Sequence, residues 1–382
     1  ATTDAAAYGL ASVVVVDVPL DVSVSADRFP NVALGGFEAA IQVLGRHLGD
    51  GALVVVETTV PPGTCTRVVA PILAAELAAR GKPPNAILLA HSYERVMPGP
   101  DYFDSIANYW RVYAGHTDAG AEACARFLER VVDVERFPLR RLASTTASET
   151  AKIVENSFRA VNIAFIEEWA RFAESAGIDL FEVIDAIRDR PTHSNIRQPG
   201  FGVGGYCLTK DPLFGAAAAG LFLNEQALNF PFSETALAVN RQMPLANLDR
   251  IERYAGGLAG KTMVLLGVAY RSEVDDTRHS PAEIFFRDAR RRGVRIACHD
   301  PYVRYWSELE MPIPDVLPSP SMADVIVCAV PHVAYRRLDF PAWLGGAKPL
   351  VYDCDNVLSE ETRARLRSAG VRVESTGRGE GL

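Results

Sequence analysis

Apolar runs and helical periods alternate from the start of the chain. The stretch ASVVVVDVPLD, residues 11–21, is a continuous β-branched run of the kind found in strands buried on both faces. A helical period follows at about 35–48, then a second strand pattern, ALVVVETTVPPGT, at 52–64. Another helix is predicted over roughly 65–80 and another strand over 85–94. Strand–helix–strand–helix order predicts a parallel, doubly wound sheet.

From Ser144 to about Ala255 the strand signals vanish and long helical periods take over. One helix is predicted over 147–177, with Gly177 where a helix-ending glycine belongs. A second is predicted over 233–257, with Ser233 as its N-cap and a kink or break at Pro244. It has more apolar positions than one packing face needs, so part of it is expected to pair with a copy of itself. At Gly260 the alternation resumes, with strands expected at 261–270, 294–300, 324–331 and 349–353 and helices at 281–292 and 359–369. The expected fold is α/β: two Rossmann-like doubly wound domains joined by a central helical domain. The domains are placed at 1–143, 144–257 and 258–382.

Composition narrows the partners more than the fold. With 382 residues, 48% of them hydrophobic and 23% charged, the chain has the balance of a globular protein with more than one core. A net charge of −8 argues against nucleic acid or an anionic membrane as partner. The longest apolar stretch, 213–223, is too short to span a bilayer, and no signal peptide opens the sequence. A cytoplasmic location is the default. The six cysteines, at 65, 124, 207, 298, 328 and 354, show no metal-ligand spacing, so no metal is expected and the thiols are read as free.

The candidate chemistry concentrates in PGFGVGGYCLTKDP, residues 199–212. Gly200, Gly202 and Gly205 match the dinucleotide spacing, but that pattern needs a strand running into the glycines and a helix leaving them. RPTHSNIRQP precedes them, with two prolines and no strand pattern, so the cofactor reading of this loop fails. Glycines at 200, 202, 204 and 205 instead suit close approach to a ligand, with Cys207, Lys210 and Asp211 just beyond. In ETAKIVENSF, Lys152 and Asn156 are four apart on one face of a largely packed helix. A lysine and an amide beside a thiolate would make an oxyanion clamp. A cysteine hydrolase, its thiol activated by His193, is a weaker alternative.

These segments resemble the UDP-glucose/GDP-mannose dehydrogenase family, the nucleotide-sugar 6-dehydrogenases. GFGVGGYCLTKD is similar to the family's active-site loop and ASETAKIVENSFRAVNIAFIEE to its central helix. VETTVPPGT (56–64), YERVMPG (93–99) and LLGVAYRSEVDDTRHSP (265–281) match further motifs, in the family's order and over nearly the whole chain. The resemblance implies oxidation of a sugar C6 alcohol to a carboxylate, using NAD twice, through a thiohemiacetal and thioester on Cys207. It also implies that Lys152 and Asn156 stabilise oxyanions, that Asp211 helps activate water, and that Thr59 and Glu94 line the same cleft. Val18, Pro19, Thr59, Glu94, Lys210 and Arg278 are implied at the cofactor; Phe201, Gly202, Gly204, Gly205 and Arg271 are implied at the nucleotide sugar. Relatives assemble through such a central helix, so a homodimer is expected.

Three departures stand out. The family's first strand and glycine turn, with its ribose-binding acid, do not appear before residue 11. Either that segment lies outside this sequence or the chain is a degenerate member; an intact Cys207 loop favours the former. A non-catalytic nucleotide-sugar-binding relic is the rival reading. Tyr93 stands where most relatives have proline, and Arg271 where lysine is usual, a planar fork in place of a point charge.

Overall fold

The computed structural model describes residues 1–24, 29–223 and 228–379. The chain forms two compact units: Ala1–Ser157 with Lys210–Pro231, and Phe158–Thr209 with Phe232–Leu382.

The first unit is built on a five-stranded sheet. Its strands are β1 (Val13–Val16), β2 (Leu53–Val56), β3 (Leu88–His91), β4 (Val112–Gly115) and β5 (Arg140–Arg141), in that spatial order. β1, β2 and β3 run parallel, as the alternation predicts. β2 shows why its sequence reads as an unbroken apolar run. Val54 and Val56 face a core with α1 (Gly35–His47) and α2 (Ala70–Ala79). Leu53 and Val55 face the opposite core. A strand covered on both faces has no polar side to show.

One expectation needs correction. β4 pairs antiparallel to β3, through Ala90 with Gly115 and His91 with Ala114, so this sheet is not wholly parallel. The connection carries α3 (Tyr102–Ala107), whose six residues are too short to return the chain to the far edge. β4, β5, α3 and α4 (Asp118–Leu128) were not anticipated.

The second unit holds a wholly parallel sheet, again buried on both faces. It comprises β6 (Thr262–Leu266), β7 (Arg295–His299), β8 (Val325–Cys328), β9 (Leu350–Asp353) and β10 (Val373–Ser375), in spatial order β10-β9-β8-β6-β7. Val264 and Ile326 face one core, Leu265 and Val327 the other.

Two long helices dominate the middle of the chain. α5 (Thr145–Ala176) has 32 residues and ends at Gly177, whose φ of +70° suits only glycine well; the division between the units falls within it. α6 (Leu180–Arg188), α7 (Phe214–Ala218) and α8 (Pro231–Ala255) follow. α8 begins two residues before Ser233, which is buried inside the helix and is not the N-cap. It also continues through Pro244 without a break. Proline has no N–H for the carbonyl of Asn240, and the side chain of that same Asn240 holds the 199–209 loop. Asn240 bonds both backbone groups of Val203, at 2.8 and 2.7 Å. Of the apolar positions of α8, Ala236, Leu237, Met243, Leu248 and Ile251 are buried, while Phe232 is exposed.

α5 and α8 meet around a buried ion cluster in this unit. Arg250 donates to Glu167 at 3.1 Å and Glu174 at 2.7 Å, and its side chain is 4% exposed. Removing one partner of such a cluster strands buried charge. Arg250→Met is therefore expected to destabilise the protein by about 3 kcal/mol, read as a lower urea midpoint at unchanged slope.

Candidate active site

In the first unit, Ser148, Glu149, Lys152 and Asn156 occupy a single ~100° arc of α5, and all four are buried. Each holds a different loop. Glu149 accepts from the N–H groups of Gly63 at 2.5 Å and Cys65 at 2.7 Å, fixing the turn that leads into α2. Burial pushes its carboxyl above the usual range while those two donors pull it back. Lys152 Nζ donates to the carbonyl of Glu94 at 2.8 Å and to Glu94 Oε1 at 3.3 Å. Asn156 Nδ2 donates to Asp211 Oδ2 at 2.7 Å.

Asp211 is the most constrained of these carboxylates. It is fully buried, with Lys210 Nζ 3.0 Å from Oδ1. Burial raises its pKa, opposed first by the charge of Lys210 and then by Lys152 and Asn156. A carboxylate so placed is a stronger base than one in water. Lys210 also lies 4.6 Å from the ring centre of Phe214.

The loops after the parallel strands carry the remaining predicted positions. Val18 and Pro19 follow β1; the carbonyls of Val16 and Val18 each lie 3.0 Å from the hydroxyl of Thr58. Thr59 is half-buried and makes no hydrogen bond among the described residues. Glu57 forms an ion pair with Arg111, which also donates to the Tyr93 carbonyl at 3.0 Å. At the end of β3, His91 Nδ1 is 2.8 Å from Ser148 Oγ, and its Nε2 is buried without a partner among the described residues. Burial, then the charge of Lys152, pulls its pKa down to about 3.

In the second unit, Cys207 is the one exposed cysteine among the described residues. Burial pushes the thiols of Cys124 and Cys298 up to about 12, and those of Cys65, Cys328 and Cys354 well above their ordinary value. Cys207 lies within electrostatic reach of Tyr270 and Arg278. The glycines before it answer first to the protein's own packing. A Cβ on Gly204 would sit 2.4 Å from the carbonyl oxygen of His279, and one on Gly205 2.8 Å from the Tyr270 ring. One on Gly200 would sit 2.5 Å from Asp355 Oδ1, while Gly202 has a φ of +105°. Phe201 is buried edge-on against Phe285, 5.4 Å between centres. Arg278 pairs with Asp276 at 2.7 Å, whereas Arg271 is exposed and makes no ion pair among the described residues. His193 is exposed and bonds its neighbour Thr192 at 2.9 Å.

The structure thus joins Glu94 to Lys152, and Asn156 to Asp211 and Lys210, in the first unit, and places Cys207 near Arg278 in the second. Thr59 makes no hydrogen bond to these groups, and Arg271, like Cys207 and Arg278, lies within electrostatic reach of Tyr270. Glu149, Ser148, His91 and Arg111 were missed. Glu149 was detectable, since it falls three residues before Lys152 on the same helix face. The ends of β1, β2 and β3 suit a dinucleotide, because parallel strands bring Val18, Pro19, Thr59 and Glu94 to one edge of the sheet. No glycine-rich strand-to-helix turn to grip a pyrophosphate occurs among the described residues, and none of them forms a metal cluster of three or more ligands. No helix among them is long and apolar enough to cross a membrane.

Two nucleotide-type sheets flanking a helical centre, with a cysteine loop, define an oxidoreductase class built from paired α/β domains. The UDP-glucose/GDP-mannose dehydrogenase family matches domain by domain: its NAD binding domain over 2–132, its central domain over 146–242 and its UDP binding domain over 264–360. The chain belongs to this family, as its motifs implied. It is 31% identical to the UDP-N-acetyl-D-mannosamine dehydrogenase of Methanocaldococcus jannaschii, over 78% of this chain and 64% of that protein. It is 31% identical to the NDP-N-acetyl-D-galactosaminuronic acid dehydrogenase of Ralstonia solanacearum, over 82% and 72%. The structure of a UDP-D-ManNAc dehydrogenase from Pyrococcus horikoshii superposes with a TM-score of 0.82 at 27% identity, covering 99% of this chain and 84% of that one.

The His91 ring yields a prediction with a definite sign. Above pH 6.5 the ring is neutral whether the chain is folded or not; as pH falls, only the unfolded chain takes up the proton. The contribution of this ring to stability is therefore full above 6.5 and drains away between 6.5 and about 3, by roughly 4–5 kcal/mol. In urea titrations across that window, His91→Gln is expected to flatten most of this loss.

Proposed function

We propose that this chain provides the catalytic machinery of an NAD-dependent nucleotide-sugar 6-dehydrogenase acting on UDP-N-acetylmannosamine. One contrast carries the reading: a single cysteine is exposed on a glycine-rich loop, while a lysine, an amide and a base lie buried on one helix and its neighbouring turn. The names of the Methanocaldococcus and Pyrococcus relatives support the sugar.

NAD supplies the hydride acceptor in both oxidations. The C6 alcohol loses a proton and a hydride and becomes an aldehyde, a poor hydride donor while its carbon is planar. The Cys207 thiolate adds to that carbon and makes it tetrahedral, and loss of a second hydride leaves a thioester. Water then attacks, the C–S bond breaks, and the thiol is restored as the carboxylate leaves. One alcohol, one water and two oxidised NAD give one carboxylate, two reduced NAD and three protons.

In this scheme the Lys152 ammonium and the Asn156 amide offset the negative oxygen of each tetrahedral species. Asp211 takes the proton of the attacking water, a task its raised pKa suits. Thr59 and Glu94 orient that water. Lys210, buried against Asp211, is better placed to hold this carboxylate than to meet a phosphate. Arg278, Val18 and Pro19 face the cofactor; Arg271 and the Phe201–Gly205 backbone face the nucleotide sugar.

The same reading includes a homodimer formed along α5. Phe158, Phe165, Trp169 and Phe172 are 52%, 49%, 46% and 57% exposed on this helix, an apolar stripe of the kind that marks an interface. Trp169→Glu is expected to give a monomer where the parent shows a dimer by light scattering.

With UDP-N-acetylmannosamine and NAD, two NADH are expected per sugar. Cys207→Ser should stop at one NADH or fewer, with steady turnover down by at least about a thousandfold. Turnover of UDP-N-acetylgalactosamine alone would move the sugar and keep the chemistry. Two NADH per sugar from Cys207→Ser would end the thioester scheme.

A further inference from the structure

We infer that Tyr93 is a positioning residue for Lys152, its ring receiving the ammonium while Glu94, next in the chain, takes the hydrogen bonds. The inference rests on the reading of Lys152 as the cation of the reaction, and it concerns a position where the family resemblance has proline. Proline offers neither a π face nor a phenol.

The ring is 2% exposed and anchored at both ends. Arg111 holds its backbone carbonyl at 3.0 Å. Its phenol oxygen lies 3.4 Å from Glu155 Oε2 and 3.2 Å from Arg95 Nη2. Arg95 is itself fixed, paired with Glu155 at 2.9 Å and donating to the carbonyl of Trp110 at 2.6 Å. Glu155 and Lys152 are three apart on α5, so one helix supplies both the ammonium that meets the ring and the carboxylate that steadies it.

The centre of this ring lies 5.4 Å from Lys152 Nζ, within cation–π range. A ring differs from a second carboxylate in one useful respect. It attracts the ammonium without net charge, so the positive charge stays available to a developing oxyanion. The groups that face Lys152 are Glu94, His91 of β3 and the buried Asp211. Of these, Glu94 already bonds the ammonium directly. The ring therefore fixes the direction of a cation whose charge it does not cancel.

The chain has five lysines, at 82, 152, 210, 261 and 348, so lysine labelled with ¹³C at Cε gives five resonances, and Lys152→Arg identifies the relevant one. Tyr93→Leu is expected to move the Lys152 resonance and to lower kcat about tenfold, with KM within about threefold. Tyr93→Phe, which keeps the face and loses only the phenol, should leave the resonance and kcat close to those of the parent. Because a buried ring is lost in the leucine variant, a second series preserves shape. Phenylalanine at 93 carrying one and then three fluorines should move the Lys152 resonance and lower kcat stepwise, since fluorine weakens the face without altering the packing. A Lys152 resonance unchanged through the fluorinated series overturns the inference. A moved resonance with unchanged kcat supports the ring contact and overturns instead the role given to Lys152.

Discussion

The chemistry-bearing part of the first unit hangs from one face of α5. Four polar side chains are buried there, and a buried polar group must be bonded or it costs about 1–3 kcal/mol. Each finds its partner on a different segment: Glu149 on the turn before α2, Ser148 on β3, Lys152 on the loop after β3, Asn156 on the turn before α7. None of these segments can drift without stranding a donor or acceptor. A one-residue slip of α5 would rotate all four by about 100° at once. The loops are thus ordered by the cost of leaving the helix, with no strong attraction needed among themselves.

The second unit reaches a rigid loop by other means. Between Gly200 and Gly205 the backbone lies so close to Asp355, His279 and Tyr270 that a Cβ on any of three glycines would force a neighbour to shift. Its middle is fastened to α8 by Asn240, beside the carbonyl that Pro244 cannot serve. Cys207 follows directly, exposed at the end of a tightly packed base, while burial keeps the other thiols protonated.

Much of this was legible beforehand, for physical reasons. Runs such as LVVV at 53–56 are apolar because both faces are covered, and period alone reveals them. Lys152 and Asn156 stood out because two polar residues on one face of a packed helix need partners. The glycine loop was denied the cofactor role because no strand pattern leads into it, and no strand among the described residues does so. Its glycines read as suited to ligand approach; the further steric demand of Tyr270 and His279, some seventy residues on, leaves no local trace. The antiparallel β4 was hidden for a similar reason: strand direction depends on where a connection returns, and a short helix between two strands does not state it. Ser233 looked like a cap by composition, but packing drew the helix two residues further.

Electrostatics set the last condition on the proposed reading. A chain of net charge −8 repels a nucleotide diphosphate at long range, so capture falls to local cations. Many candidates are already committed: Arg278 to Asp276, Arg250 to Glu167 and Glu174, Arg111 to Glu57, Lys210 to Asp211. Arg271 is exposed and carries no such pairing among the described residues. Its guanidinium can meet a phosphate through two parallel N–H bonds, which a lysine at this position could not do. Replacing the point charge by a fork trades freedom for direction. In an acidic protein, where the general field offers no help, a directed grip at short range is the more effective way to hold an anionic substrate.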